Sequence, residues 1–193
     1  KVLESNLDIV QNALELLNDK RFNNGIMQLR HLFTQVHDIR GTLDALRENR
    51  VLDEVELFEI KYFAALCRDF ITLLGTLGFK HENLQSLQKT FDLLDPVGNG
   101  MVSFHLYDAY SQALSQARKL AKGIDPEKET DRWNDARDRI REEELAVMKR
   151  LSSELSPMHI VLQDNFDRIA RLEIWFAKAA LAKRYGMVRT RIA

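Results

Sequence analysis

Apolar residues recur along this chain at steps of three and four, the spacing that puts them on one face of an α-helix. Leu7, Val10, Leu14 and Leu17 form the first such face, with Ser5 as its expected N-cap. Asn18 to Asn24 interrupt it. Leu29, Leu32 and Phe33 mark a second helix over about residues 26–33, residues 36–41 read as a connection, and a short helix follows near Thr42. The strongest pattern runs from an Asp53 cap to about Leu77. There Val55, Phe58, Phe63, Leu66, Phe70, Leu74 and Leu77 keep helical spacing, while Ile60, Ile71 and Leu73 widen the stripe, which predicts burial on several sides.

Beyond a weaker helical stretch at Glu82 to Gln88, the pattern breaks at Asp95-Pro-Val-Gly-Asn-Gly100, where the glycines and asparagine permit positive φ and sharp turns. Met101 to Phe104 reads as a short strand. Ser111 is an N-cap signal for a helix through Leu120, and Asp125-Pro126 restarts a helix with proline in its first turn. From there to about Leu155 the chain is densely charged, and Trp133, Ala136, Ile140, Val147 and Leu151 form a stripe narrow enough to need one partner helix. Leu162, Phe166, Ile169, Leu172 and Phe176 repeat the rule after Ser156-Pro157, read as cap and first-turn proline. With no spare residues at that joint, the expectation is an antiparallel hairpin reaching roughly 45 Å at about 1.5 Å per residue. Bulk gathers toward the end of the return helix, at Trp175, Phe176 and Tyr185, so that end is expected to plug into the core, with Gly186 as the stop.

The predicted architecture is therefore all-α: a helical core over residues 1–110, and residues 111–193 forming a long protruding arm that returns to it. Composition agrees, since 8 glycines and 3 prolines in 193 residues leave few places to turn. A net charge of −1 supplies no global attraction for nucleic acid or an anionic membrane. Charge is nonetheless uneven: residues 1–59 lean acidic, and Arg168, Arg171, Lys178, Lys183, Arg184, Arg189 and Arg191 face one acid, Glu173, in a pattern that a helix C-terminus tolerates. No run approaches the roughly 18 apolar residues of a membrane span. The single Cys67 lies in an apolar run, which predicts a buried small hydrophobe and is compatible with a reducing cytoplasm. The sequence opens on Lys1 and stops abruptly at Ala193, as a piece of a longer protein would.

Candidate chemistry is sparse. Asp95 begins what looks like a calcium loop, but the third position is Val97 and the twelfth Leu106, where oxygen ligands are needed, so an ordinary turn is the better reading. His31, His37, His81, His105 and His159 are scattered, with no helical metal pair among them. The chain holds no Gly-x-x-x-x-Gly-Lys-Ser/Thr loop, no Gly-x-Gly-x-x-Gly and no Gly-x-Ser-x-Gly, so no catalytic site is expected in it. Glu144 occupies a place in the apolar stripe, which predicts a carboxylate reaching solvent or a basic neighbour. Near the expected tip of the arm, Lys149, Arg150 and His159 form a small basic set able to touch phosphate.

Three stretches resemble the MutS family of DNA-repair ATPases. Asp95-Pro-x-Gly followed by Asp108-Ala-Tyr-Ser111-Gln-Ala-Leu114-Ser-Gln-Ala-Arg118 is similar to that family's passage from helical core into outgoing lever helix. Leu52-Asp-Glu-Val-Glu-Leu-Phe-Glu-Ile-Lys61 looks like its core helix, and Phe176-Ala-Lys-Ala-Ala-Leu-Ala-Lys-Arg-Tyr-Gly186 like its returning lever helix. The likeness covers most of residues 40–190. It implies a non-catalytic core and lever region coupling DNA to ATP and magnesium bound in a separate C-terminal domain, with double-stranded or branched DNA as partner and a homodimer as the full-length assembly. The arm has no room for a β-rich clamp, which brings the chain closer to the branch without a mismatch-reading domain or to a divergent MutS-like protein. A helical scaffold or dimerisation module that never touches nucleic acid is the alternative.

Overall fold

The computed structural model describes residues 2–188, and every regular element among them is helical. In order they are α1 (Val2–Asn18), α2 (Asn23–Gln35), α3 (Arg40–Arg47), α4 (Glu54–Leu77), α5 (Gln88–Leu93), α6 (Gln112–Ala121), α7 (Thr130–Leu155) and α8 (His159–Tyr185). Three short 3-10 turns, at Lys20–Phe22, Asp108–Tyr110 and Ser156–Met158, join them. Two predicted caps are in place. Asp53 Oδ1 accepts from Glu56 N at 2.8 Å while Glu56 Oε2 accepts from Asp53 N at 2.9 Å, a reciprocal capping box that opens α4. Ser111 takes an extended backbone (φ −152°, ψ 128°), and its hydroxyl accepts from Leu114 N to start α6. Gly186 ends α8 at φ +61°, which lets Met187 N bond back to Ala182 O.

Contacts divide the chain into two compact units, neither continuous in sequence. The first takes residues up to His37, Ala65–Leu87 and the chain from Ile160; the second takes Asp38–Ala64 and Gln88–His159. A boundary at 110/111 thus falls inside the second unit, and α4 contributes to both.

In the first unit Trp175, Phe176 and Ala179 of α8 are buried, as the bulk there predicted, whereas Leu181 and Tyr185 beyond them are 49% and 62% exposed, so the last turn of the helix stays outside the core. Phe176 lies 6.4 Å from Phe33 and 5.0 Å from Phe79, and Phe33 lies 5.4 Å from Phe70. Trp175 Nε1 donates to Asn6 Oδ1, and Lys183 Nζ to the Leu17 carbonyl at the end of α1, where a cation also suits the helix dipole. Ser5 does not cap α1, because the helix already runs from Val2. Residues 82–88 form no helix ahead of Gln88. Buried Asn165 of α8 accepts from Gln85 N and donates to Gln85 O, at 2.9 and 2.8 Å, so the groups that a helix would pair are taken.

The second unit is built on Leu43, Leu46, Leu52, Leu57, Ile60, Leu94, Leu114, Leu151 and Leu155, each 3% exposed or less, whereas Val55 is 65% exposed and faces outward. Ser152 anchors the stretch before α4, its hydroxyl accepting from Leu52 N at 2.8 Å. Met101–Phe104 makes no strand: Gly100 N and Met101 N bond the side chains of Asp95 and Asn99, and the Ser103 carbonyl is bound by Lys61. The restart at Pro126 is one isolated turn. Glu129 (φ −128°, ψ 48°) stops it, and α7 begins at Thr130.

The hairpin is where structure and expectation part. Leu155, Ser156 and His159 all keep right-handed helical angles, so α7 and α8 join through one 3-10 turn into a 56-residue helical path with no reversal. Ser156 N still donates to Ser152 O, as in an unbroken helix. Its hydroxyl, free to cap only if the backbone were extended, instead bonds the Leu46 carbonyl and Asn49 Oδ1. Pro157 removes a single N–H, and the tighter turn accommodates its ring. The partner of the narrow α7 stripe is therefore α6. Arg118 meets Glu144, and Arg150 meets Tyr110 just before α6, so the two helices run antiparallel. Leu114, Ala117 and Ala121 of α6 and Val147 and Leu151 of α7 are buried, while Trp133, Ala136 and Ile140, nearer the connecting turn, are only half-buried.

Candidate functional site

One of the three resembling stretches, Asp108 to Arg118, forms a joint within the second unit, whereas Phe176–Gly186 belongs to the first. Asp108, Ser111, Leu114 and Arg118 recur at three- and four-residue steps, and each has a distinct task. Ser111 caps α6, and Leu114 is fully buried. Arg118 spans three segments: Nη1 donates to the Leu106 carbonyl at 2.6 Å and to Asp108 Oδ1 at 2.8 Å, and Nη2 donates to Glu144 Oε1 at 2.8 Å. Its two carboxylate partners hold the guanidinium pKa above its ordinary value against the opposing effect of burial. Glu144 thus reaches a basic neighbour, as its place in the stripe required, and that neighbour lies on the partner helix. Because a guanidinium offers a rigid fork of donors, this contact sets the register of α6 against α7 as well as neutralising an acid.

Behind the joint lies a buried ion pair that the sequence did not announce. Lys61 is fully buried; its ammonium donates to the Ser103 carbonyl at 3.1 Å and to Asp95 Oδ1 at 3.4 Å, and lies 5.2 Å from the centre of the Phe91 ring. Asp95 Oδ2 accepts from Gly100 N at 2.8 Å. The acid that suggested a calcium loop is therefore committed to a lysine and a backbone amide, and Gly98 and Gly100 take the positive φ that the turn demanded. Among the described residues, no group of three His, Cys, Asp or Glu is placed to hold a metal ion.

The proposed phosphate-contacting set looks different in three dimensions. It does not lie at a tip, because the helical path is unbroken at Ser156-Pro157. Lys149 is exposed. Arg150 is held by Glu154 at 3.2 Å, and its Nη2 donates to the Tyr110 carbonyl at 3.0 Å, which makes it a structural fastener. His159 Nδ1 lies 2.8 Å from the Ser156 carbonyl in the 3-10 turn. Adjacency on α7 brings Lys149 and Arg150 together; the structure gives His159 its own local task.

Basic residues of α8 are similarly engaged in the first unit. Arg168 Nη1 and Arg171 Nε each donate to Glu82 at 2.8 Å, and Arg168 Nε donates to Asp164 at 2.7 Å. The hydrogen bond from Arg168 holds the Asp164 carboxyl below its usual range. Arg189 and Arg191 lie outside the described residues. Burial pushes the Cys67 thiol up to about 12, consistent with an inert core position. The first unit also carries apolar grooves, one of about 590 Å³ between α2 and α4 lined by Met27, Leu32, Leu73 and the methyl-bearing Thr72 and Thr76. No described helix is long and apolar enough to cross a membrane. No protein-family model matches the sequence, and no curated protein matches it.

Proposed function

We propose that this chain is a non-catalytic core and lever module of a MutS-like DNA mismatch repair or recombination ATPase, working in the cytoplasm as part of a homodimer. In this reading it transmits movement along its helices between double-stranded or branched DNA and a nucleotide-binding domain of the same protein. The Arg118 joint carries the proposal. The four residues of the resembling motif fall in one structural unit, and Arg118 makes α6, α7 and the segment entering them move together. A mechanical element needs stiffness, and long helices locked in register by a charged fork supply it. Exposed Lys149 is the residue of the basic set left to meet phosphate.

The helical-scaffold reading draws support from the apolar grooves of the first unit and from the near-neutral charge. Two measurements separate the readings. The reading frame after the Ala193 codon should encode a Gly-x-x-x-x-Gly-Lys-Ser/Thr loop within about two hundred residues; its absence removes the MutS-like assignment. The intact protein should bind duplex DNA with an affinity that falls steeply with salt, and Lys149→Glu should weaken that binding and flatten the salt slope. Unchanged binding would remove Lys149 from the contact.

A further inference from the structure

We propose that residues 95–110 form a strap that opens and closes as one cooperative unit, fastened by three cationic side chains reaching its backbone carbonyls from three helices. The inference is independent of the DNA-repair reading. Lys61 of α4 binds the Ser103 carbonyl at 3.1 Å, Arg118 of α6 binds that of Leu106 at 2.6 Å, and Arg150 of α7 binds that of Tyr110 at 3.0 Å. Between the fasteners the segment is irregular. Its own backbone bonds close short turns, such as Gly98 N to Asp95 O and Tyr110 N to Tyr107 O.

A carbonyl removed from water needs a donor, and a charged donor is roughly twice as strong as a neutral one. Three such donors at 103, 106 and 110 leave only short stretches between them. Leu106, which is 2% exposed, is seated between the outer two. Lifting one carbonyl from its cation therefore pulls on a buried leucine and on both neighbouring fasteners, so partial peeling forfeits nearly as much as full release. Release also has a compensation. The Tyr110 hydroxyl is buried with no hydrogen-bond partner, and burial pushes its pKa up. On opening it meets water. An irregular segment with few regular backbone bonds belongs to the part of a fold that opens below the global unfolding threshold.

Hydrogen exchange of the intact protein, read segment by segment by mass spectrometry, tests this. Arg118→Gln and Arg150→Gln are each expected to speed exchange about tenfold or more across residues 96–110, including amides beside Lys61 far along the strap, while α4 and α6 amides hold their rates. Arg150 is a half-exposed surface residue, so its variant keeps the test usable if Arg118→Gln folds poorly. Acceleration confined to residues next to the changed fastener, or no acceleration, overturns the proposal. Equal acceleration of α4, α6 and the strap in Arg150→Gln overturns it too, since the strap would then have no opening of its own.

Discussion

Each unit contains an irregular segment about ten or more residues long, and the two are held by different means. Residues 78–87 of the first unit are held mainly by neutral groups: the Asn165 amide of α8 meets their backbone and Asn12 of α1 lies 2.6 Å from His81 Nε2, while two arginines of α8 meet the side chain of Glu82. Residues 95–110 of the second unit are bound at their backbone by cations from three helices, and enclose a buried ion pair. A segment held by three helices makes their positions interdependent, which is the arrangement a joint requires. The contrast also concerns risk. A neutral amide in a core needs only its hydrogen bonds, whereas a buried charge must keep its counter-ion.

That difference can be broken most sharply at Lys61. Lys61→Met leaves the Asp95 carboxylate, whose side chain is 4% exposed, without its cation, and should cost about 3–5 kcal/mol in urea unfolding. Lys61→Met combined with Asp95→Asn removes both charges while keeping an oxygen for Gly100 N, and should regain most of that loss. A double variant as unstable as the single one would show that shape, not charge, governs the site.

A smaller effect is expected in the first unit. Asn165→Ala strands both backbone groups of Gln85, and should cost about 2–4 kcal/mol, because each unsatisfied group carries its own desolvation penalty. Cys67 reports it locally, since Asn165 Nδ2 lies 3.6 Å from its Sγ. The wild-type thiol should resist labelling until the protein unfolds, and the variant should label about tenfold faster under native conditions. Equal labelling would mean that the 78–87 segment does not depend on Asn165.

The smallest effect lies at the surface of that segment. Asp164 has a folded pKa below 3.8, lowered first by its hydrogen bond from Arg168. A depressed carboxyl contributes stability above its unfolded pKa and loses it as pH falls through the folded one. Stability should therefore decline more steeply below about pH 4 in the wild type than in Arg168→Gln. Parallel acid profiles would show the pair to be fully screened, as is usual for exposed ion pairs.

Helices were legible wherever periodicity was long and its ends were capped. Asp53, Ser111 and Gly186 each do locally what their types favour, and α4 and α6 follow. Legibility failed where a side chain far along the chain claims backbone groups. Nothing near Gln85 announces that Asn165, 80 residues on, will occupy both its N–H and its carbonyl. Lys61 reads as one more charge on an amphipathic helix until Asp95, Phe91 and Ser103 close over it. Arg150 is one of a plausible basic set of three, with Lys149 and His159, in sequence, but a fastener in the structure. Arg118 was visible as part of a motif, though not its bond to the Leu106 carbonyl, because a carbonyl carries no residue signature.

The sequence by itself determined that the chain is all-α, where most helices begin and end, and that the α7 stripe needs one partner. Those are local properties, written in propensity, caps and the 3.6-residue period. Which helix supplies that partner was a tertiary decision. Ser156-Pro157 suits a cap followed by a new helix, but it also suits one 3-10 turn in a continuing helix. Leu46 and Asn49, by taking the Ser156 hydroxyl, and Arg118, by taking Glu144, favour the second arrangement and give α7 to α6.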